Sequence, residues 1–229
     1  MKAHTVRAFT KVDLAIVVAT VGMLAVWAAF VLPRMWPTRP RASRINCVSK
    51  LKSIGLGFRM WSNDHGERFP WQVAAADGGT KEFAGFPIAA LHFIIVSNEF
   101  NSPKILTCAS DTNKFRTNGW EGPLQPNLSY FAGLNADEKD PASILSGDRN
   151  VSTNSSMFAG LLTVENAEDV QWTKDIHHHA GNIGLADGSV HQSASKGLRN
   201  VFKTAFEKAT NKTIRPGDTF IEPIRLVLP

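Results

Sequence analysis

The chain has 229 residues, an apolar fraction of 43% and a formal net charge of +5. That length accommodates one membrane segment and one globular domain, and the apolar fraction excludes wholesale disorder. The basic residues gather toward the N-terminus with no stripe of interleaved aromatics, so no nucleic-acid partner is expected.

Leu14 to Leu32 reads LAIVVATVGMLAVWAAFVL, without a charge. As a helix it spans roughly 28 Å, close to the hydrocarbon thickness of a bilayer. Thr20 is its only polar side chain, and a helical Thr can bond its own backbone. Two alternatives are weaker. A buried core helix is shorter than this run. A cleaved secretory signal would need its apolar region to end before Val26-Trp27-Ala28, yet the run continues through Phe30, Val31 and Leu32.

The residues ahead of the run are Arg7-Ala8-Phe9-Thr10-Lys11-Val12-Asp13. A small residue, a Phe and then an acid at the head of an apolar helix resemble the signal of type IV pilins and type II secretion pseudopilins. The resemblance implies that a prepilin peptidase cuts between Ala8 and Phe9 and that Phe9 is then N-methylated. It also implies that Asp13 is the acid that sets axial register against a neighbouring subunit's N-terminal amine. Gly is usual where Ala8 stands, and Glu where Asp13 stands. The local alternative is that Asp13 marks the membrane boundary, where a helix N-terminus favours its charge. Lys2, Arg7 and Lys11 precede the span, while Arg34, Arg39, Arg41, Arg44, Lys50 and Lys52 follow it. That bias favours a cytoplasmic C-terminal domain, whereas the resemblance implies the opposite orientation.

Pro33, Pro37 and Pro40 predict a connector over 33–41. From Ala42 to Asn63 the spacing of Ile45, Val48, Leu51, Ile54, Phe58 and Trp61 predicts an amphipathic helix. A Gly- and Ala-rich loop over Ala74–Phe86 is followed by a short predicted helix over Pro87–Asn98. Lys104–Cys108, Leu128–Leu134 and Ser156–Val164 read as strands. Ile183–Ala186 and Ser189–His191 flank Asp187-Gly188, a strong tight-turn signal. A last amphipathic helix over Ser195–Ala209 places Leu198, Val201, Phe202 and Phe206 inward, and Ile224–Leu228 reads as a terminal strand.

Several downstream pieces resemble bacterial pilin-like proteins abundant in planctomycetes and verrucomicrobia. They are the stretch Asn46–Leu56, Leu106-Thr107-Cys108-Ala109-Ser110-Asp111, Leu128-Ser129-Tyr130-Phe131, and His177 followed after nine residues by Asp187-Gly188. The implied fold is α+β: a long N-terminal helix, transmembrane then amphipathic, packed on a small, mainly antiparallel, pilin-like sheet. The implied organisation is a leader over 1–8, a transmembrane helix over 9–32, the connector, and an extracytoplasmic domain over 42–229. Such a protein sits once across the inner membrane with its N-terminus cytoplasmic. Its partners are prepilin peptidase, other pilin or pseudopilin subunits and membrane lipid. In an extracytoplasmic domain Cys47 and Cys108 are expected to form a disulfide, with two buried thiols as the alternative.

No enzymatic chemistry is expected. There is no Gly-x-Ser-x-Gly nucleophile motif, no His-Glu-x-x-His helix and no phosphate-binding glycine loop. His177-His178-His179 would split between the two faces of a strand, with His191 approaching across a hairpin. That is short of a zinc tetrahedron, so no metal ligands are assigned. Asp137, Glu138, Asp140 and Asp148 offer oxygens for a calcium ion in one loop, but without EF-hand spacing. The expected role is structural: a pseudopilin or minor pilin assembled through its N-terminal helix. The alternative is a membrane-anchored binding module that does not polymerise.

Overall fold

The computed structural model describes residues 10–35, 38–154, 157–158, 160–213 and 223–229. Ala8, Phe9 and the rest of the expected leader lie outside the described residues. The chain divides into two units, one ending at Ala42 and the other running from Ser43 to Pro229.

Helix α1 spans Lys11–Met35. Thr10 and Asp13 start it. The Asp13 carboxylate accepts the Thr10 backbone N–H at 2.9 Å and its hydroxyl at 2.7 Å, and the Asp13 N–H reaches Thr10 Oγ1 at 3.3 Å. This is a capping box with Asp in place of the usual Glu. Lys11–Leu32 is long and apolar enough to cross a membrane, and none of its apolar window is buried among the described residues. The Thr20 hydroxyl bonds the Val17 carbonyl at 2.9 Å.

Helix α2 spans Thr38–Asp64. The connector expected over 33–41 is therefore helical on both sides of residues 36–37. Pro33 lies inside α1, and Pro40 lies in the first turn of α2, where a missing N–H costs nothing. The buried face of α2 is Cys47, Leu51, Ile54, Phe58 and Trp61. Ile45, expected inside, is exposed, because Cys47 occupies the inward position of that turn.

The 70–106 region is short turns around helix α3, Ala89–Ile94. The strand expected at Lys104–Cys108 is a 3-10 turn, Pro103–Leu106. Pro103 fixes the backbone, and the Ser102 hydroxyl accepts the Lys104 N–H at 3.4 Å.

The main sheet has seven strands in the order β4-β5-β9-β1-β2-β7-β8. They are β1 Tyr130–Gly133, β2 Ile144–Asp148, β4 Met157–Phe158, β5 Leu161–Val164, β7 Ala180–Leu185, β8 Val190–Ala194 and β9 Ile224–Val227. A separate pair joins β3 (Val151–Ser152) to β6 (Gln171–Trp172). Every recorded pairing is antiparallel. The C-terminal strand does not close an edge; it is inserted between β5 and β1.

Both faces of the sheet are covered. Tyr130, Ala132, Leu145 and Val227 join α2 and the 69–128 region in one core. Phe131, Ile144, Ile183 and Leu226 join helix α4 (Ser195–Thr213) and Trp172 in the other. Neighbouring residues of a strand thus serve opposite cores, as the pleat requires. The observed class is mixed α+β, an apolar N-terminal helix plus a mainly antiparallel sheet.

Candidate functional site

Three strands place a polar row beneath the start of α2. Tyr130 of β1 is paired directly with Asp148 of β2. Asp148 in turn accepts the Asn182 backbone N–H of β7 at 2.8 Å and its side-chain N–H at 2.9 Å. All three side chains are buried. A polar row in that position is costly unless it is partnered.

Cys47, Cys108 and His177 converge on this row. Cys47 and Cys108 are joined by a disulfide, with Cα atoms 5.4 Å apart. His177 Nε2 lies 3.5 Å from Cys108 Sγ and 3.6 Å from Asp148 Oδ2. Burial pushes the Asp148 carboxyl up to about 7, against the Asn182 hydrogen bonds that favour its charge. Burial also pushes His177 down to about 4, helped by the Arg44 and His178 charges. Both shifts favour the uncharged form, as expected where water is excluded.

An unusual backbone presents His177. Residues 177, 178 and 179 have φ of 56°, 51° and 59°, a left-handed turn without glycine. Such conformations cost roughly 1–2 kcal/mol per residue. Local bonds hold the turn. Arg44 Nη2 donates to the His177 carbonyl at 2.7 Å, and the His179 N–H reaches the Thr173 carbonyl at 3.2 Å. Asn150 Nδ2 lies 3.0–3.4 Å from the carbonyls of Thr173, Ile176 and Ala180. The strand expected through the three histidines is therefore a turn: His177 points inward while His178 and His179 are exposed. His191 is exposed on β8 and bonds Ser189 at 3.2 Å, so the four histidines do not converge.

His177 and Asp187-Gly188 lie at opposite ends of β7. The turn after β7 has three residues, Ala186 to Gly188, with Gly188 left-handed at φ 84°. That is a hairpin with glycine in its αL position rather than a two-residue loop. Arg59 Nη1 donates to the Asp187 carbonyl at 3.0 Å, and the Asp187 carboxylate accepts the Ser189 N–H at 2.8 Å.

The four acids read as calcium donors are not one loop. Asp148 is fully buried in β2. Glu138 is engaged by Arg59 at 3.4 Å and by the Ser62 hydroxyl. Asp137 and Asp140 accept the nearby N–H groups of Lys139 and Ala142. Asp111, which the sequence reading did not single out, is gripped by Arg149 through two bonds of 2.7 Å. Burial would raise the Asp111 carboxyl, but Arg149, Ser129 and the Asn113 N–H outweigh it and hold it below its ordinary range.

An apolar pocket of about 340 Å³ lies elsewhere, lined among others by Pro87, Ile88, Leu91, Ile94 and Gln125. Gln125 is occupied by the Ala90 N–H and the Leu228 carbonyl, so this pocket offers little for chemistry. No known protein family, no curated protein and no solved structure matches the chain.

Proposed function

We propose that the chain is a membrane-anchored, pilin-like structural protein whose N-terminal helix anchors and assembles it and whose Ser43–Pro229 unit is displayed outside the cytoplasm. The observation that carries this reading is α1. Its large side chains, among them Leu14, Met23, Trp27 and Phe30, are exposed. A helix that is apolar all round and uncovered needs lipid or other helices around it. The Cys47–Cys108 disulfide supports an oxidising compartment for the second unit. The basic residues after the span weigh the other way. A reporter active only outside the cytoplasm, fused after Pro229, decides the orientation.

The capping box supports a second reading, an anchored module that does not polymerise, because it gives Asp13 a local role without a partner subunit. Two substitutions separate the readings. Asn can still accept the Thr10 N–H but carries no charge, whereas Ala does neither. If Asp13 pairs with a neighbour's amine, Asp13→Asn and Asp13→Ala both abolish assembly in membranes. If it only caps the helix, Asp13→Asn behaves as the wild type. N-terminal sequencing of the membrane-extracted protein is expected to begin at methylated Phe9. A start at Met1, in cells with active prepilin peptidase, overturns the processing part of the proposal.

A further inference from the structure

We propose that Cys47, Cys108, His177 and Asp148 form, when the disulfide is reduced, a four-ligand site for a zinc-class divalent cation. Oxidation to the disulfide empties this site. The proposal is independent of the pilin reading, because it concerns only the Ser43–Pro229 unit.

The geometry carries it. A ligand atom from each of Cys47, Cys108 and His177 lies within 4.8 Å of the other two, and all three residues are buried. Zinc distances of about 2.3 Å to sulfur, about 2.0 Å to nitrogen and about 2.1 Å to oxygen give a tetrahedron of known edges: about 3.5 Å for S···N, about 3.4 Å for N···O and about 3.8 Å for S···S. The structure holds Cys108 Sγ···His177 Nε2 at 3.5 Å and His177 Nε2···Asp148 Oδ2 at 3.6 Å. Two of the six edges thus already have metal-site lengths. Breaking the disulfide lets the S···S edge open by rotation of the two cysteine side chains.

The carboxylate supplies an independent observation. Asp148 is fully buried, and its Oδ1 has no partner among the described residues. Its Oδ2 is oriented by two bonds from Asn182, the outer-shell support that ligating carboxylates receive. Two thiolates, a carboxylate and neutral imidazole around a divalent cation leave one negative charge. The Arg44 guanidinium, bonded to the His177 carbonyl, lies on that side of the cluster. The strained turn at 177–179 fits the same account, since it holds one imidazole inward at a conformational cost.

The exchange balances. A phosphine and water reduce the disulfide to two thiols, the phosphine leaving as its oxide. The cation then displaces the two thiol protons and the proton of the Asp148 carboxyl where it carries one. In reverse, a two-electron oxidant such as a diazene takes one electron from each thiolate and two protons from water and becomes the hydrazine, and the sulfur–sulfur bond forms as the cation departs.

The test uses the full chain in detergent, produced and extracted under phosphine, with Co²⁺ as the probe and Zn²⁺ as its competitor. Near-ultraviolet circular dichroism verifies that the chain is folded. One Co²⁺ per reduced chain is expected, with thiolate-to-cobalt charge-transfer absorption and the visible bands of four-coordination, both lost on adding Zn²⁺. Diamide is expected to release the metal as the disulfide forms. Cys108→Ser removes tight binding. His177→Ala weakens it by more than the roughly tenfold to hundredfold typical of losing an outer-shell partner. His177→Cys is the second variant, a check against disturbance of the turn by His177→Ala: it restores binding and strengthens the charge-transfer band through a third thiolate. A folded, reduced chain that binds no Co²⁺ overturns the proposal. So does binding that is unchanged in His177→Ala or persists after diamide.

Discussion

The disulfide joins residues 61 apart in sequence, from the start of α2 to the turn after Leu106. Constraining a loop of that length in the unfolded chain is worth about 4 kcal/mol. Replacing both cysteines by alanine removes the cross-link together with one contact, Cys108 Sγ to the buried His177 Nε2 at 3.5 Å, so Cys47→Ala with Cys108→Ala reports mainly the cross-link. Urea unfolding of the full chain in detergent, followed by fluorescence of the buried Trp61, Trp71 and Trp172, is the assay. With a slope of roughly 2–2.5 kcal/mol per molar, the midpoint is expected to fall by about 1.5 to 2 M. Each single substitution removes the same bond, so singles and double should lose similar stability rather than add. The loss should also be local. Without the disulfide, this part of α2 keeps the bonds of Lys50 Nζ to the Thr107 carbonyl and Arg44 Nη2 to the His177 carbonyl, each 2.7 Å, and the contact of Ser43 with Ser110. Amide exchange over residues 43–50 should therefore quicken more than over 54–61. A stability loss below about 1 kcal/mol, or additive singles, would refute the reasoning.

His92 predicts a pH dependence. Burial pushes it down to about 4, its Nδ1 lies 2.7 Å from the Thr80 hydroxyl, and Nε2 has no partner among the described residues. Between pH 4 and 6.5 the unfolded chain binds the proton that the folded chain refuses, so this group makes stability rise with pH over that window. The difference in unfolding free energy between wild type and His92→Asn should change by up to about 3 kcal/mol from pH 4 to pH 7; a constant difference would be contrary to it. Asp111 and Arg149 predict a second loss. The Asp111 side chain is fully buried, so Arg149→Met leaves its charge unpaired and should cost about 3 kcal/mol at pH 7. The deficit should shrink in acid as Asp111 takes a proton. A loss under about 1 kcal/mol, of the size of a surface pair, would show the pair to be dispensable.

The parts of the fold legible in the sequence are those written in local periodicity. Leu51, Ile54, Phe58 and Trp61 repeat at helical spacing and are buried in α2, and Leu198, Phe202 and Phe206 do the same in α4. Asp187-Gly188 marks its turn because only the glycine there needs a left-handed backbone. The misread parts depend on partners far along the chain. Strand β2 is buried on both faces, so it lacks the alternation that announces a half-exposed strand. Strand β9 looks like a terminal edge, yet its place between β5 and β1 is set by pairings across most of the second unit. The polar row was hidden for the same reason. Asp148 reads as one more loop acid until Tyr130 and Asn182 flank it, and no propensity foretells three successive histidines in left-handed conformation. The cysteines, separated by 61 residues, gave no metal-ligand spacing to notice.

The two turns that bound β7 are both tied to α2. Arg44 holds the His177 carbonyl and Arg59 holds the Asp187 carbonyl, so both ends of the strand region are tied to one helix. From Arg44 to Arg59 the helix advances about 22 Å at 1.5 Å per residue. Strand β7 itself, Ala180–Leu185, advances about 17 Å at 3.3 Å per residue, and the two tethered carbonyls lie in the turns beyond its ends. Within that length the register is also constrained. Asn182 must face Asp148 while Ile183 faces the α4 core, and a shift of one residue would exchange them. Both ends thus tether the strand through a carbonyl, and the histidine end has one role that the Asp-Gly end lacks: its imidazole enters the cysteine–carboxylate cluster.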